Sequence, residues 1–131
     1  MAADSAPLLL SGKVVVVCGI GPGLGRALAV QSARAGADVV LAARTEGLSK
    51  EVAAEITAMG RRAVTVMTDV TDDELAAGLP AAALEAFGRV DALVNNAFAI
   101  PPLTSLGDVD LDAVRAGFET DDVDAEALER A

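Results

Sequence analysis

The chain has 131 residues, of which 53% are hydrophobic and 23% are charged, and this fits a single folded domain with a buried core. Ten basic and twenty acidic residues give a net charge of -10, which disfavours binding to nucleic acid or to anionic lipid. One cysteine and no histidine exclude a disulfide framework, a Cys/His zinc site and a Ser-His or Cys-His catalytic pair within one chain.

The first ten residues, MAADSAPLLL, carry an acid where a secretory signal has a basic region, and no later segment is apolar over a membrane-spanning length. We therefore expect residues 1–10 to be irregular or disordered, and the protein to be soluble and cytoplasmic.

The first predicted unit is a strand, a glycine-rich loop and a helix. The run from Val14 to Cys18 is short, apolar and β-branched, which predicts a strand buried on both faces. The loop GIGPGLG follows it, and residues 26–35 favour a helix that Gly36 stops. The pattern then repeats, with a strand over 38–43, a helix over 48–59 and a strand over 63–68.

A third helix is predicted to run toward Phe87. Thr71 and Glu74 form a capping box at its start, and Gly78 and Pro80 are expected to break or kink it midway. A fourth strand is predicted over residues 90–95.

Strands that alternate with helices pair in parallel through right-handed crossovers. We therefore expect an α/β fold over residues 11–107, a Rossmann-type doubly wound parallel sheet of about four strands in the order 3-2-1-4. Residues 108–131 differ, because nine acids and two bases give them a net charge of -7, against -3 from eleven acids and eight bases in the preceding 107 residues. We expect an acidic helical tail there, capped by Asp110, with one face shared by Leu111, Val114 and Phe118.

The glycine loop predicts a pyrophosphate site. Gly19 permits a tight turn, Gly23 lets the backbone approach the phosphates, and Gly25 lets the helix and strand pack closely. The helix N-terminus adds free N–H groups and the positive end of its dipole, and we include Ile20 and Leu24 of the loop in the site. A plain turn is the alternative, but the strand before the loop and the helix after it favour nucleotide binding.

The adenosine end of the ligand is predicted at the next two strands. The second strand ends in Ala-Ala-Arg44, about 20 positions after the glycines, where an acid would hold a free ribose 2'-hydroxyl and an arginine a 2'-phosphate. NADP(H) is therefore favoured, with NAD(H) as the second candidate, although Arg44 as a solvated charge or a platform for adenine is an alternative. Asp69 could accept the adenine amino group and Val70 could lie along the base, the alternative for Asp69 being a turn or cap residue.

Four separated segments, LSGKVVVVCGIGPGLGRALA, VVLAAR, TDV and VDALVNNA, resemble the N-terminal half of the short-chain dehydrogenase/reductase family over about residues 9–121. The resemblance implies a Rossmann fold, an NAD(P) cofactor, and hydride transfer between the nicotinamide and a carbonyl or alcohol carbon. It also implies cofactor contacts for the family's glycines, its adenine-contacting pair and its Asn-Asn-Ala segment, which match Gly19, Gly23, Gly25, Asp69, Val70, Asn95, Asn96 and Ala97.

The sequence departs from the family at two places near the cofactor. Cys18 stands where the family usually has Thr or Ser, and we interpret it as a small core residue. Phe98 replaces the glycine after Asn-Asn-Ala, which adds a bulky side chain close to the cofactor ribose and reduces access to positive φ.

A third departure concerns catalysis. The family's proton donor is the tyrosine of Tyr-x-x-x-Lys, and this chain contains no tyrosine. Lys13 and Lys50 lie before the first strand and on the second predicted helix, and Asp121 stands at the position of the family's catalytic asparagine. The aspartates at 108, 110, 112, 121 and 122 are interpreted as caps and solvated charges, so no catalytic and no metal-binding residues are assigned.

Three hypotheses follow for the function. The chain is a truncated or split family member, whose missing half a second chain would supply; or it is a noncatalytic NAD(P)-binding or interaction module; or it is a structural partner that binds no nucleotide. In the first hypothesis the fourth strand is left as a hydrophobic edge, unless the acidic tail covers it. A homo-oligomer is a further candidate, and neither nucleic acid nor a membrane is expected as a partner.

Overall fold

The computed structural model describes residues 8–99 and 103–121. The start of the expected irregular N-terminus and the end of the expected acidic tail lie outside these residues. Strands and helices alternate along the chain: β1 Val14–Cys18, α1 Leu24–Arg34, β2 Asp38–Ala43, α2 Gly47–Ala58, β3 Ala63–Met67, α3 Asp73–Phe87, β4 Ala92–Asn95 and α4 Leu111–Asp121, with a short 3-10 helix at Leu106–Asp108 before α4.

The four strands form one parallel sheet in the order β3-β2-β1-β4, which confirms the predicted fold class and strand order. β1 lies at the centre, in register with Asp38–Ala42 of β2 on one side and Ala92–Asn95 of β4 on the other. The carboxyl ends of all four strands therefore lie at one edge of the sheet, where open α/β sheets bind ligands.

Helices cover both faces of the sheet. The first face, including Val15, Val17 and Leu41, packs against α1 and α2, and the second face, including Val14 and Val16, packs against α3. Because successive side chains of a strand point to opposite faces, β1 must be apolar at every position, and all five of its residues are buried.

The start of α3 differs from the prediction. Its N-cap is Asp72, whose side chain accepts hydrogen bonds from the backbone N–H groups of Glu74 and Leu75 at 3.0 and 3.1 Å. Thr71 lies one residue before this cap, where its hydroxyl and its backbone N–H both donate to Asp69. The predicted capping box was therefore wrong by one residue.

The expected break in α3 is also wrong, because one helix runs through Gly78 and Pro80. Ala76, Leu79 and Ala83 lie on one face of this helix and are buried against the sheet. Their burial outweighs the hydrogen bond that Pro80 cannot donate.

α4 begins after Asp110, whose carboxylate accepts the backbone N–H of Asp112 at 2.9 Å, as its predicted capping role requires. The apolar face of this helix is not covered by the described residues, since Leu111 and Phe118 are exposed. No helix in the described part of the chain is long and apolar enough to cross a membrane.

Candidate functional site

A cleft of about 520 Å³ opens at the carboxyl edge of the sheet. Its walls come from the glycine loop after β1, the ends of β2 and β3, and the segment after β4. The lining residues are Cys18, Gly19, Ile20, Gly21, Pro22, Gly23, Leu24, Gly25, Ala42, Ala43, Arg44, Thr45, Thr68, Asp69, Val70, Thr71, Asn96, Ala97 and Phe98.

The fold brings ten of the eleven predicted cofactor-binding residues to this cleft, and only Asn95 lies outside the lining. Asn95 is the exposed last residue of β4, and its place in the sheet is beside Cys18 of β1. The two residues that follow it turn toward the glycine loop. Whether these residues bind a cofactor stays a prediction.

At two positions of the loop, neighbouring backbone atoms lie so close that only glycine fits. Gly19 has a φ of 97°, and a Cβ built on it would lie 2.5 Å from the backbone nitrogen of Ala97. A Cβ on Gly25 would lie 2.2 Å from the carbonyl oxygen of Gly19. Any side chain at either position would therefore force the loop away from its neighbours.

Asn96 fastens the end of β4 to this loop. Its side-chain amide donates to the carbonyl oxygen of Gly19 at 2.9 Å, and its backbone N–H donates to the carbonyl oxygen of Cys18 at 2.8 Å. The two bonds hold the backbone of Asn96 and Ala97 directly against the glycine loop.

The N-terminus of α1 faces the cleft without a cap. Its N-cap residue is Gly23, no side chain accepts a hydrogen bond there, and the first turn has no acidic residue. Arg26 and Ala27 donate their backbone N–H groups to Gly21 and Gly23, but the N–H groups of Leu24 and Gly25 have no partner among the described residues. The helix end therefore presents free donors and a positive dipole end to an anion.

The backbone of the glycine loop is also accessible from the cleft at two positions. A Cβ on Gly21 or on Gly23 would meet no atom within 4 Å. A phosphate could therefore approach the backbone at these positions, as the predicted role of Gly23 requires.

Arg44 and Asp69 lie at the opposite end of the cleft. The carboxylate of Asp69 accepts hydrogen bonds from the hydroxyl of Thr71 at 2.6 Å and from its backbone N–H at 2.9 Å. These bonds, together with the nearby charge of Arg44, hold the pKa of Asp69 below its ordinary value. Arg44 is exposed and forms no salt bridge with any described residue, so its guanidinium is available to a ligand.

Sequence reasoning did not include Thr68 in the site. Its side chain is only 3% exposed, and its hydroxyl oxygen has no hydrogen-bond partner among the described residues. The residue stands in the TDV segment, which marked its position but not the unpaired hydroxyl. The loop residues Gly21, Pro22, Thr45 and Thr71 were also missed, because their place in the cleft depends on how the loops fold back.

The thiol of Cys18 lies at the base of the cleft and is buried, which agrees with a core role. Burial raises its pKa to about 11, so the thiol is protonated at neutral pH. Among the described residues no group of three or more potential ligands could hold a metal ion.

Comparison with known proteins gave one family from both sequence and structure. The family model for short chain dehydrogenases matches residues 13–121. The L-rhamnose 1-dehydrogenase (NAD(P)(+)) of Sphingomonas sp. strain SKA58 is 42% identical over 112 residues, which are 85% of this chain and 44% of that protein.

Solved structures agree. A short chain dehydrogenase from Burkholderia cenocepacia J2315 in complex with NADP has a TM-score of 0.82 and 35% identity, covering 93% of this chain and 51% of that chain. A short-chain type dehydrogenase/reductase from Mycobacterium marinum has a TM-score of 0.86 and 30% identity, and the match covers 95% of this chain and 51% of that chain. The chain spans about half the length of these three relatives.

Proposed function

The chain belongs to the short chain dehydrogenase family, and we propose that it is the nucleotide-binding half of an NAD(P)-dependent oxidoreductase and is not catalytic alone. The observation that carries this proposal is the uncapped N-terminus of α1, which presents the free N–H groups of Leu24 and Gly25 to the cleft. Such a helix end binds a pyrophosphate without further charged side chains.

We place the adenosine end of the dinucleotide at β2 and β3. Asp69 is ionised at neutral pH, its pKa being lowered further by the Thr71 hydrogen bonds, and only one of its oxygens accepts those bonds. The other oxygen can accept the adenine amino group, and Val70 offers an apolar surface beside it.

We propose NADP(H) as the preferred dinucleotide. Arg44 has no carboxylate partner among the described residues. It lines the cleft where the 2'-position of the adenosine ribose would lie. A guanidinium forms paired, charge-assisted hydrogen bonds with a phosphate, and no acid at the end of β2 competes for it.

A bound nicotinamide dinucleotide would supply a hydride donor or acceptor. Reduction of a carbonyl also needs a proton donor, and the described residues of the cleft offer none that is suited to neutral pH. Asp69 is ionised and Cys18 is buried with its pKa raised to about 11. Lys13 pairs with Asp91 at 3.8 Å, Lys50 pairs with Glu46 at 2.5 Å, and neither lysine lines the cleft.

Calorimetric titration of the chain with NADPH and NADH tests the binding proposal. We expect NADPH to bind more tightly, and Arg44→Ala to weaken NADPH by about 30-fold while changing NADH by less than about 2-fold. Arg34→Ala is the matched control, because Arg34 is exposed, has no salt bridge with a described residue and does not line the cleft. Absence of heat with both dinucleotides would refute the proposal, and equal losses on Arg44→Ala would refute the preference.

Catalysis is tested separately, by following NADPH absorbance with a panel of aldehydes and ketones. We expect no turnover above the rate without protein. Turnover by this chain alone would contradict the proposal that its residues do not complete an active site.

The partner we propose is a second polypeptide chain that pairs with the outer edge of β4. In the described residues this edge has no strand beside it, because β4 pairs only with β1. Unpaired backbone groups on such an edge favour addition of a further strand, from a complementary chain or from another copy. Light scattering of the purified chain separates these sources, since a homo-oligomer forms without any added protein.

A further inference from the structure

Phe98 is an exposed aromatic side chain in the wall of the cleft. Its side chain is 62% exposed, and it lies at the rim formed by the segment after β4. An aromatic ring of this size loses unfavourable contact with water when a ligand covers it, and a flat face favours a planar ring as its neighbour.

The backbone before Phe98 is fixed. Asn96 donates hydrogen bonds to Gly19 and Cys18, and Ala97 lies against Gly19 closely enough to leave no room for a Cβ there. No described residue other than glycine has a positive φ, so Phe98 occupies this place without backbone strain. The backbone that carries the ring is therefore held at the wall of the cleft before any ligand arrives.

The sheet order gives the side of the cleft on which this ring lies. Arg44 and Asp69 follow β2 and β3, the glycine loop follows β1, and Phe98 follows β4 on the opposite side of β1. A dinucleotide bound across such a crevice has its two nucleosides on either side of the central phosphates. With adenosine beside Arg44 and Asp69, the other nucleoside lies toward Phe98.

We propose that Phe98 is a positioning residue for the nicotinamide half of the dinucleotide and that its ring packs against the nicotinamide ring. This rests on the proposed function. The side chain that replaces the family's glycine thus forms a wall of the site and does not obstruct it.

The experiment compares two ligands that differ only in the nicotinamide: NADPH and 2'-phospho-ADP-ribose. We expect Phe98→Ala to weaken NADPH about 10-fold and to leave 2'-phospho-ADP-ribose within about 2-fold, because loss of one aromatic stacking partner has about this effect. Phe98→Leu keeps an apolar side chain without a ring, and its loss should be intermediate. Phe118→Ala is the matched control, since Phe118 is 68% exposed and does not line the cleft.

The fluorescence emission of bound NADPH gives a second test, because a purely structural role of Phe98 would not change it. The chain has no tryptophan and no tyrosine, so emission excited in the near ultraviolet comes from the reduced nicotinamide alone. We expect the emission of bound NADPH to shift toward that of free NADPH in Phe98→Ala, with no such shift in Phe118→Ala.

Several results would overturn the inference. They are an equal loss for both ligands in Phe98→Ala, no loss for either, tighter NADPH binding, or a selective loss in Phe118→Ala. If the unmodified chain binds neither ligand, the proposed function fails together with this inference. If it binds both and Phe98→Ala changes neither, only the inference fails.

Discussion

Two parts of the sheet differ in how completely their apolar residues are covered. In the β1–β3 part, residues 14–67, all of β1 and the centre of β2 are buried. In the β4–α4 part, residues 92–121, both ends of β4 are exposed, and Leu103, Leu106 and Phe118 are 96%, 91% and 68% exposed. Both parts are rich in apolar residues, so composition does not explain the difference.

The two parts differ in burial because their strands have different numbers of neighbouring strands and helices. β1 has a strand on each side and helices on both faces, whereas β4 has only β1 beside it among the described residues. Burial of an apolar residue stabilises the fold only where another element covers it. The cleft follows the same division, because only Asn96, Ala97 and Phe98 come from the β4–α4 part.

The largest expected effect on the free energy of unfolding comes from a leucine-to-alanine substitution, which we compare between the two parts. Leu41→Ala removes a side chain that is 0% exposed between the sheet and its helices, and we expect a loss of about 4 kcal/mol in the free energy of unfolding. Leu106→Ala removes a leucine that is 91% exposed, and we expect a change below about 0.5 kcal/mol. Urea unfolding followed by circular dichroism measures both.

A large loss from Leu106→Ala would break the comparison, because it would mean that Leu106 is covered in solution. A loss confined to high protein concentration would identify another copy of the chain as the cover.

The next effect concerns the contact between α1 and the loop. Gly25→Ala places a Cβ 2.2 Å from the carbonyl oxygen of Gly19, and a backbone oxygen cannot move aside like a side chain. We expect a loss of about 3 kcal/mol and loss of NADPH binding. Gly78→Ala is the matched change inside α3, where no atom lies within 4 Å, and we expect a gain of about 1 kcal/mol. Losses of equal size at the two positions, measured by urea unfolding, would contradict the contact.

The same division explains what could be predicted from the sequence. The bounds of β1 and β2 were predicted correctly because their apolar runs end at glycine or charge, and the order 3-2-1-4 followed from parallel crossovers. The predicted site residues other than Asn95 converge on one cleft because parallel strands all end at the same edge. These are properties of local pattern and topology.

The errors lie where one segment depends on another. Thr71 had the sequence of a cap, but Asp69 engages its hydroxyl, and Asp72 becomes the cap. Pro80 should end a helix on its own, but the sheet packs against the residues around it. The unpaired hydroxyl of Thr68 and the exposure of Phe98 likewise depend on which other atoms lie near, and a single sequence does not contain that information.

A smaller effect is expected at Thr68. Its buried hydroxyl has no partner among the described residues, and removing an unsatisfied polar group of this kind stabilises a fold. We expect Thr68→Val, which keeps the shape, to raise the free energy of unfolding by about 1 kcal/mol. Thr65→Val is the control on β3, the strand that ends just before Thr68, and since Thr65 is exposed the change should be below about 0.5 kcal/mol. A clear loss of stability in Thr68→Val, measured by thermal unfolding, would mean that the hydroxyl has a partner in solution.

The smallest effect is expected at Asp91, which joins the start of β4 to β1. Its carboxylate accepts hydrogen bonds from Arg89 and, at 2.8 Å, from the backbone N–H of Val14, and these lower its pKa, the Arg89 bond most. A carboxylate with a lowered folded-state pKa adds stability above its unfolded pKa of about 3.9 and loses it as the pH falls through the folded value. Asp91→Asn should therefore lower the melting temperature at pH 7, and the difference from the unmodified chain should shrink as the pH falls below the unfolded pKa and through the lowered folded-state pKa. Since the ion pairs are accessible to water, about 1 M salt should also reduce the difference. A difference that is constant over this pH range would assign the effect to the Val14 hydrogen bond alone and not to the charge.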